Sequence, residues 1–233
     1  MPLWALAVGE QPVQSVDRPA QGYRQEIGNA LQAQFVCTQH PFRIDLVLRP
    51  SPPVSPTPGP NTPPPEIKPF ETIGAPANVL PSFLEICGKI LPFLRPSRRI
   101  ALGLAVFLES KDNPQLRRRI ETIIPELAID DSYTLNDIAL SLNQPTSSHI
   151  LDNERLNVIR RWNVIQVTMG ELASSPPSLP SFQSTVNSQA LRFELDISTD
   201  ALRTQSIPRE LISGLLQEFS TIVRNHLKKV AVK

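Results

Sequence analysis

The sequence predicts an α+β protein: a single, mostly antiparallel sheet of six or seven strands with its main helices packed on one face. Three observations lead to this class. Several short segments alternate apolar and polar residues, as strands with one buried face do. Two longer segments, 79–94 and 208–229, repeat apolar residues with the period of a helix. Strands also follow one another without intervening helices, which favours antiparallel pairing.

The strongest helical pattern lies in residues 208–229. At 100° per residue its apolar side chains follow one stripe, and polar side chains occupy the opposite face. Ser206 can cap the start, and Pro208 is tolerated in the first turn. We expect this helix to lie on the sheet, because no other segment can bury as much apolar surface. The stripe comprises Leu211, Ile212, Leu215, Leu216, Phe219, Ile222, Val223, Leu227 and Val230.

Two more helices are predicted in the middle of the chain. Residues 79–94 place leucines, Phe83 and Cys87 on one face, with Asn78 as the cap and prolines ending the helix. A short third helix is predicted over 113–124, because Asn113 and the proline after it form a common start signal.

Alternation predicts the strands. A hairpin is expected from 29–37 and 42–48, and the very apolar segment 99–108 is expected to be a strand covered on both faces. A short first strand is predicted over residues 3–8. Three further strands are predicted from 138–142, from the long run 154–169, and from 191–197.

The chain is predicted to form a single domain over 1–233, interrupted by two loops. The first, at 50–69, is proline-rich: nine of the sixteen residues from 50 to 65 are proline. Proline removes backbone donors and fixes φ, so an extended polyproline conformation is expected there. It is either a plain spacer or a PxxP-type recognition segment. The second, at 171–189, is rich in serine and proline.

Composition excludes several classes of protein. Net charge is +1, so no overall field attracts nucleic acid or an anionic membrane. Two cysteines, Cys37 and Cys87, are too few for a disulfide framework. No apolar run approaches the length of a membrane span. We therefore expect a soluble cytoplasmic protein that does not bind a membrane, and no cofactor is expected.

Three residues are candidates for ligand binding. His226 lies near the centre of the apolar stripe of the last helix, where it would face a cavity if the helix covered one. Trp162 and Arg160 would line the same wall. The alternative interpretation of His226 is structural, because it lies one turn from the helix end and can reach water or the last carbonyls.

Arginine clusters are the candidates for a nucleic-acid interface. Arg117 and Arg118 lie on the predicted third helix, and Arg161 is adjacent to Trp162. In a strand, however, Arg160 and Arg161 point to opposite faces. No metal site is expected, because Cys37-x-x-His40 is half of a zinc motif without a second half.

The sequence contains no GxSxG elbow, phosphate loop, GxGxxG fingerprint or HExxH motif. We therefore expect a non-enzymatic module that binds another protein. The first alternative is a small-ligand-binding protein or enzyme with a cavity between the C-terminal helix and the sheet. The second alternative is nucleic-acid binding through the arginine clusters.

Overall fold

The structure is a computed structural model that describes residues 2–30, 33–51, 76–124, 127, 130, 138–173 and 181–230. Within these ranges the chain forms four α-helices and one sheet of nine strands. In chain order the elements are α1 (Leu3–Val8), β1 (Gln14–Arg18), β2 (Tyr23–Ala30), β3 (Ala33–Gln39), β4 (Arg43–Pro50), α2 (Pro76–Ile90), β5 (Arg99–Ser110), α3 (Asn113–Ile123), β6 (Ala139–Asn143), β7 (Thr146–Ser147), β8 (Arg155–Ala173), β9 (Ser181–Thr199) and α4 (Arg209–Val230).

The strands lie in the order β1-β2-β3-β4-β5-β9-β8-β6, and β7 also pairs with β8. Neighbouring strands are antiparallel except β4 and β5, which are parallel. The predicted count of six or seven strands is wrong, although the α+β class and the mostly antiparallel pairing agree with the structure. The parallel pair follows from the chain path, because α2 lies in the connection between β4 and β5 and such a crossover returns the chain in the same direction.

The first 30 residues account for most of the miscount. The predicted strand at 3–8 is the helix α1, and β1 and β2 were not predicted. Leu3, Trp4 and Ala7 are buried at helical spacing. The carboxylate of Glu26 in β2 accepts hydrogen bonds from the backbone N–H groups of Leu3 and Trp4, at 2.9 and 2.7 Å. This distant cap satisfies two of the backbone N–H groups that the first turn of a helix leaves unpaired, which stabilises the short helix α1.

The helix boundaries differ from the predicted ones by a few residues. α2 begins at Pro76 rather than at 79, and it ends at Ile90, where the chain tightens into a 3₁₀ turn that contains Pro92. The N-cap of α3 is Asp112, whose side chain accepts a hydrogen bond from the Gln115 N–H at 2.8 Å. α3 ends at Ile123 and α4 begins at Arg209, each one residue from the predicted bound.

One face of the sheet carries the helices and forms the core. Between residues 211 and 227 the predicted apolar stripe of α4 is its buried face. Leu215, Phe219 and Val223 have no exposed surface. They belong to one cluster with Phe35 on β3 and Phe193 on β9. Among the described residues, no helix has both the length and the apolar character that a membrane crossing requires.

The β8–β9 hairpin is longer than predicted. Residues 171–173 pair with 181–183, so the segment that composition predicts as a loop at 171–189 is largely strand. Threonine favours strands and serine is not among the residues most depleted from them. The composition of a segment also does not show which other segment it pairs with. In the part of the chain that the structure describes, no third strand pairs with the distal residues of this hairpin. The proline-rich segment 50–69 lies outside the described residues apart from Pro50 and Ser51.

Candidate functional site

The face of the sheet opposite the helices carries a charged depression, which we call the open-face trough. Side chains alternate between the two faces of a strand, so β4, β5 and β9 each send every second residue to this face. The trough runs along β5 and has a volume of about 340 Å³. Its lining includes Thr38, Arg43, Asp45, Val47, Arg49, Ala101, Gly103, Ala105, Arg161, Arg192, Glu194 and Asp196.

The floor of the trough consists of small residues on β5. Ala101, Gly103 and Ala105 occupy successive positions on this face, between the longer side chains of β4 and β9. A Cβ atom added at Gly103 would lie 3.1 Å from Cγ2 of Val47, closer than ordinary contact. The small size of the residues in this row leaves space above β5, between the longer side chains of β4 and β9.

The β4 wall holds two arginines in fixed positions. The guanidinium of Arg43 donates from Nε to Asp45 at 2.5 Å. Arg49 donates from both Nε and Nη2 to the side-chain oxygen of Gln34 on β3, at 2.8 and 2.6 Å. Gln34 is buried and neutral, so it orients the guanidinium of Arg49 without neutralising its charge.

The opposite wall is formed by β9 and β8. Arg192 forms an ion pair with Glu194, and Arg161 of β8 approaches the same carboxylate at 3.8 Å. The register explains this arrangement, because Arg161 lies directly opposite Glu194 on the neighbouring strand. The carboxylate of Glu194 therefore pairs with two guanidinium groups, those of Arg161 and Arg192, and each of these arginine side chains is 40 % exposed.

Three polar atoms at the trough are buried without a hydrogen-bond partner among the described residues: Nε of Arg99, Nε of Arg192 and Oδ1 of Asp196. Burial raises the pKa of Asp196 above its usual value, against the lowering effect of Arg161, Arg43 and Arg99. Unpaired buried polar atoms destabilise a fold unless another group or water satisfies them. Because neighbouring groups enclose each of these atoms, a new hydrogen bond to any of them requires those neighbours to move.

The residues predicted to bind a small ligand lie on the helix-covered side. Trp162 is buried and packs against Phe193, with ring centroids 5.6 Å apart. The guanidinium of Arg160 lies 5.4 Å from the Trp162 ring centroid and donates a hydrogen bond to Gln144. His226 is half-buried near the C-terminal end of α4. The structure thus brings Arg160 and Trp162 together, as a packed cation–π pair.

The predicted nucleic-acid residues do not form one surface. Arg117 and Arg118 lie on α3, whose Leu116 and Ile120 are buried in the core on the helix-covered side. Arg161 points to the open face, where it lines the trough. The sheet separates the two sets, and Arg160 and Arg161 face opposite sides as the strand period predicts.

A second depression lies at the end of the sheet and has a volume of about 390 Å³. An ion pair between Arg203 and Glu154 crosses it, and its lining comes mainly from the loop between β9 and α4. Leu202 in this loop is 86 % exposed.

No group of three potential metal ligands occurs within the described ranges.

Sequence analysis missed most of the trough residues. Of the charged residues that line the trough, it selected Arg161 and none of Arg43, Asp45, Arg49, Arg192, Glu194 and Asp196. A pattern in the sequence does point to these residues. Positions 43, 45 and 49 of β4 and positions 192, 194 and 196 of β9 are charged, while positions 101, 103 and 105 of β5 hold alanine, glycine and alanine. Only the pairing of β4, β5 and β9 places these rows side by side.

Comparison of the chain with models of known protein families, with curated proteins and with solved structures gave no match.

Proposed function

We propose that the protein is a binding module for another protein and that the open-face trough is its contact surface. The observation that supports this most directly is the set of oriented guanidinium groups along both walls of the trough. Arg43, Arg49, Arg161 and Arg192 each contact a partner within the sheet, so they are held in place before binding. Arginine is enriched among residues that dominate binding energy at protein interfaces, and pre-ordering lowers the entropic cost.

The dimensions of the trough fit an extended polypeptide. Strands lie about 4.8 Å apart, so the β4 and β9 walls are about 10 Å apart across β5. The floor from Ala101 to Ala105 is about 13 Å long at 3.3 Å per residue. An extended segment of about four residues would fill this length, with its side chains between the two walls.

The trough is less suited to nucleic acid. Asp45, Glu194 and Asp196 line it, and carboxylates repel the phosphates that dominate nucleic-acid affinity. Its lining residues, all within the described ranges, include no aromatic ring on which a base could stack. The alternative of a ligand cavity beneath α4 gains no support either, because Leu215, Phe219 and Val223 occupy the space between α4 and the sheet.

We place this function in the cytoplasm. Cys37 and Cys87 are both buried free thiols, which suits a reducing compartment. Whether the proline-rich segment 50–69 adds a second contact with the partner stays a prediction, because it lies outside the described residues.

The test is to block the trough and compare partners. Ala105→Trp would place a large ring on the floor, and Ala201→Trp places the same ring at an exposed position in the loop after β9. Chemical cross-linking in cells identifies partners of the wild type and of both variants, and each candidate is then purified and tested for direct binding. We expect at least one direct partner to bind the wild type and Ala201→Trp but not Ala105→Trp. Retention of every direct partner by Ala105→Trp would overturn the proposal.

A further inference from the structure

We propose that the segment bound in the trough is acidic and that Arg49 is the residue that anchors its carboxylate. This inference rests on the proposed function and names the chemistry of the partner. It follows from the distribution of charge in the trough, from the geometry of Arg49 and from the position of Asp196.

The trough carries more positive than negative charge. Its lining contains four arginines (Arg43, Arg49, Arg161 and Arg192) and three carboxylates (Asp45, Glu194 and Asp196), which leaves a surplus of one positive charge. Arg99, opposite Arg43 at the end of the same face, adds a second. Arg99 donates to the neutral hydroxyl of Ser198 at 3.0 Å. Opposite charge on the partner is therefore expected.

Arg49 is the lining arginine whose described hydrogen bonds go to a neutral group alone. Gln34 uses two of its N–H groups. Within the described ranges, Nη1 and the second Nη2 hydrogen are available for an incoming carboxylate. Arg43 and Arg192, in contrast, are each already paired with a carboxylate of their own strand. A charge-assisted pair at Arg49 would thus be formed without breaking an existing ion pair.

Asp196 explains why the partner is a polypeptide segment rather than any polyanion. Its register neighbours on this face are Gly103, which has no side chain, and Ile159, which has no donor. Oδ1 of Asp196 is buried and has no hydrogen-bond partner among the described residues. When the arginine side chains near it move on binding, it can accept a backbone N–H from a segment lying along β5. A phosphate chain has no such donors, whereas a peptide presents both an acidic side chain and backbone N–H groups.

The experiment uses three fluorescent probes and the full chain. The probes are a capped hexapeptide of alternating glutamate and valine, the same peptide with lysine for glutamate, and single-stranded oligothymidine. Fluorescence anisotropy is measured with the wild type, Arg49→Gln, Arg161→Gln and the control Arg224→Gln, whose side chain is exposed on α4. Circular dichroism checks that each variant is folded.

The glutamate peptide should bind the wild type and Arg224→Gln, and added salt should weaken this binding. Arg49→Gln should reduce its affinity roughly tenfold to a hundredfold, the loss expected for a charge-assisted hydrogen bond, and Arg161→Gln should reduce it less. Equal or tighter binding of the lysine peptide or of oligothymidine would overturn the inference, as would no binding of the glutamate peptide at about 1 mM. If Ala105→Trp removes a cellular partner that Arg49→Gln retains, the acidic-segment inference fails while the proposed function stands.

Discussion

The indole ring of Trp4 lies directly against the backbone of Gly28, so that a Cβ atom added at Gly28 would overlap the ring. Trp4 is 1 % exposed and also packs on Phe35, with centroids 5.4 Å apart. The side chain that β2 lacks at this position is therefore replaced by the indole of α1. This contact ties the helix to the sheet and makes Gly28 a packing requirement.

Gly28→Ala should destabilise the protein strongly, because the methyl group can be accommodated only if Trp4 leaves its site. We expect a loss of about 3–5 kcal/mol, the cost of removing a large aromatic side chain from a core. Chemical denaturation followed by fluorescence measures this loss in the free energy of unfolding.

The matched control is Gly88→Ala on the exposed side of α2, where nothing lies within 4 Å of the added atom. Higher helix propensity should raise stability there by about 0.5–1 kcal/mol. Equal effects of the two substitutions would contradict this account.

Glu218 should be a structural residue that connects α4 to the turn before β8. Its carboxylate accepts the Ser148 hydroxyl at 2.6 Å and the His149 backbone N–H at 2.7 Å. Ser148 is buried and its oxygen accepts from the N–H groups of Ile150 and Leu151. Glu218→Gln replaces one acceptor by a donor, so we expect a loss of about 1–2 kcal/mol.

Thermal or urea unfolding measures this loss, and Glu121→Gln, at an exposed position of α3, serves as the control with a change within about 0.5 kcal/mol. A Glu218→Gln protein as stable as the control would show that the bonds to the 148–151 turn contribute nothing net.

The predicted parts of the fold are those in which burial follows a regular period. The stripe of α4 and the alternation in β9 are local patterns, and both are found in the structure. α1 is different, because its helix depends on Glu26 and Gly28, which lie more than twenty residues away. The trough depends on the same kind of information: Arg49 and Asp196 come to one surface only through strand pairing. The periodicity of apolar residues along the chain does not predict which strands pair with each other.

Cys37 and Cys87 should be unreactive in the folded protein. Burial raises the pKa of Cys37 to about 12 and that of Cys87 well above its usual value. The thiolate is the reactive form, so iodoacetamide at pH 8 should label neither residue until the protein unfolds. Mass spectrometry with and without urea checks this. Rapid labelling of either cysteine in the absence of denaturant would show that the β3–α2 contact opens locally.

The same two thiols predict the behaviour at high pH. An acid whose pKa is raised by folding keeps its proton longer in the native state than in the unfolded chain. The stabilisation that the protonated group gives the native state is therefore fully present below the pKa of the unfolded chain. It is lost as the pH rises through the pKa of the folded protein. For Cys37 this window extends from about 8.5 to about 12. Stability against urea should fall across this range, and a Cys37→Ala variant should show a smaller slope with pH.

Asp196 should cost the folded protein stability at neutral pH. Burial raises its pKa, and the nearby Arg161, Arg43 and Arg99 offset this effect only in part. The native state thus holds the proton to a higher pH than the unfolded chain, and stability falls as the pH rises through the folded pKa. Asp196→Asn does not titrate. We therefore expect this variant to gain in unfolding midpoint relative to the wild type between acidic and neutral pH, and the difference should vanish below the unfolded pKa of about 3.9.

Urea unfolding at several pH values measures this difference, and Asp200→Asn, in the loop after β9, provides a control carboxylate outside the trough. A gain in stability at Asp196 has a clear physical meaning, because groups arranged to bind something else are often unsatisfied in the unbound protein. If Asp196→Asn instead becomes less stable relative to the wild type as the pH rises from 4 to 7, the three arginines outweigh the burial of the carboxylate. Asp196 would then be an ordinary member of the ion-pair network of the sheet, with its carboxylate already satisfied by the arginines and unable to accept a hydrogen bond from a partner.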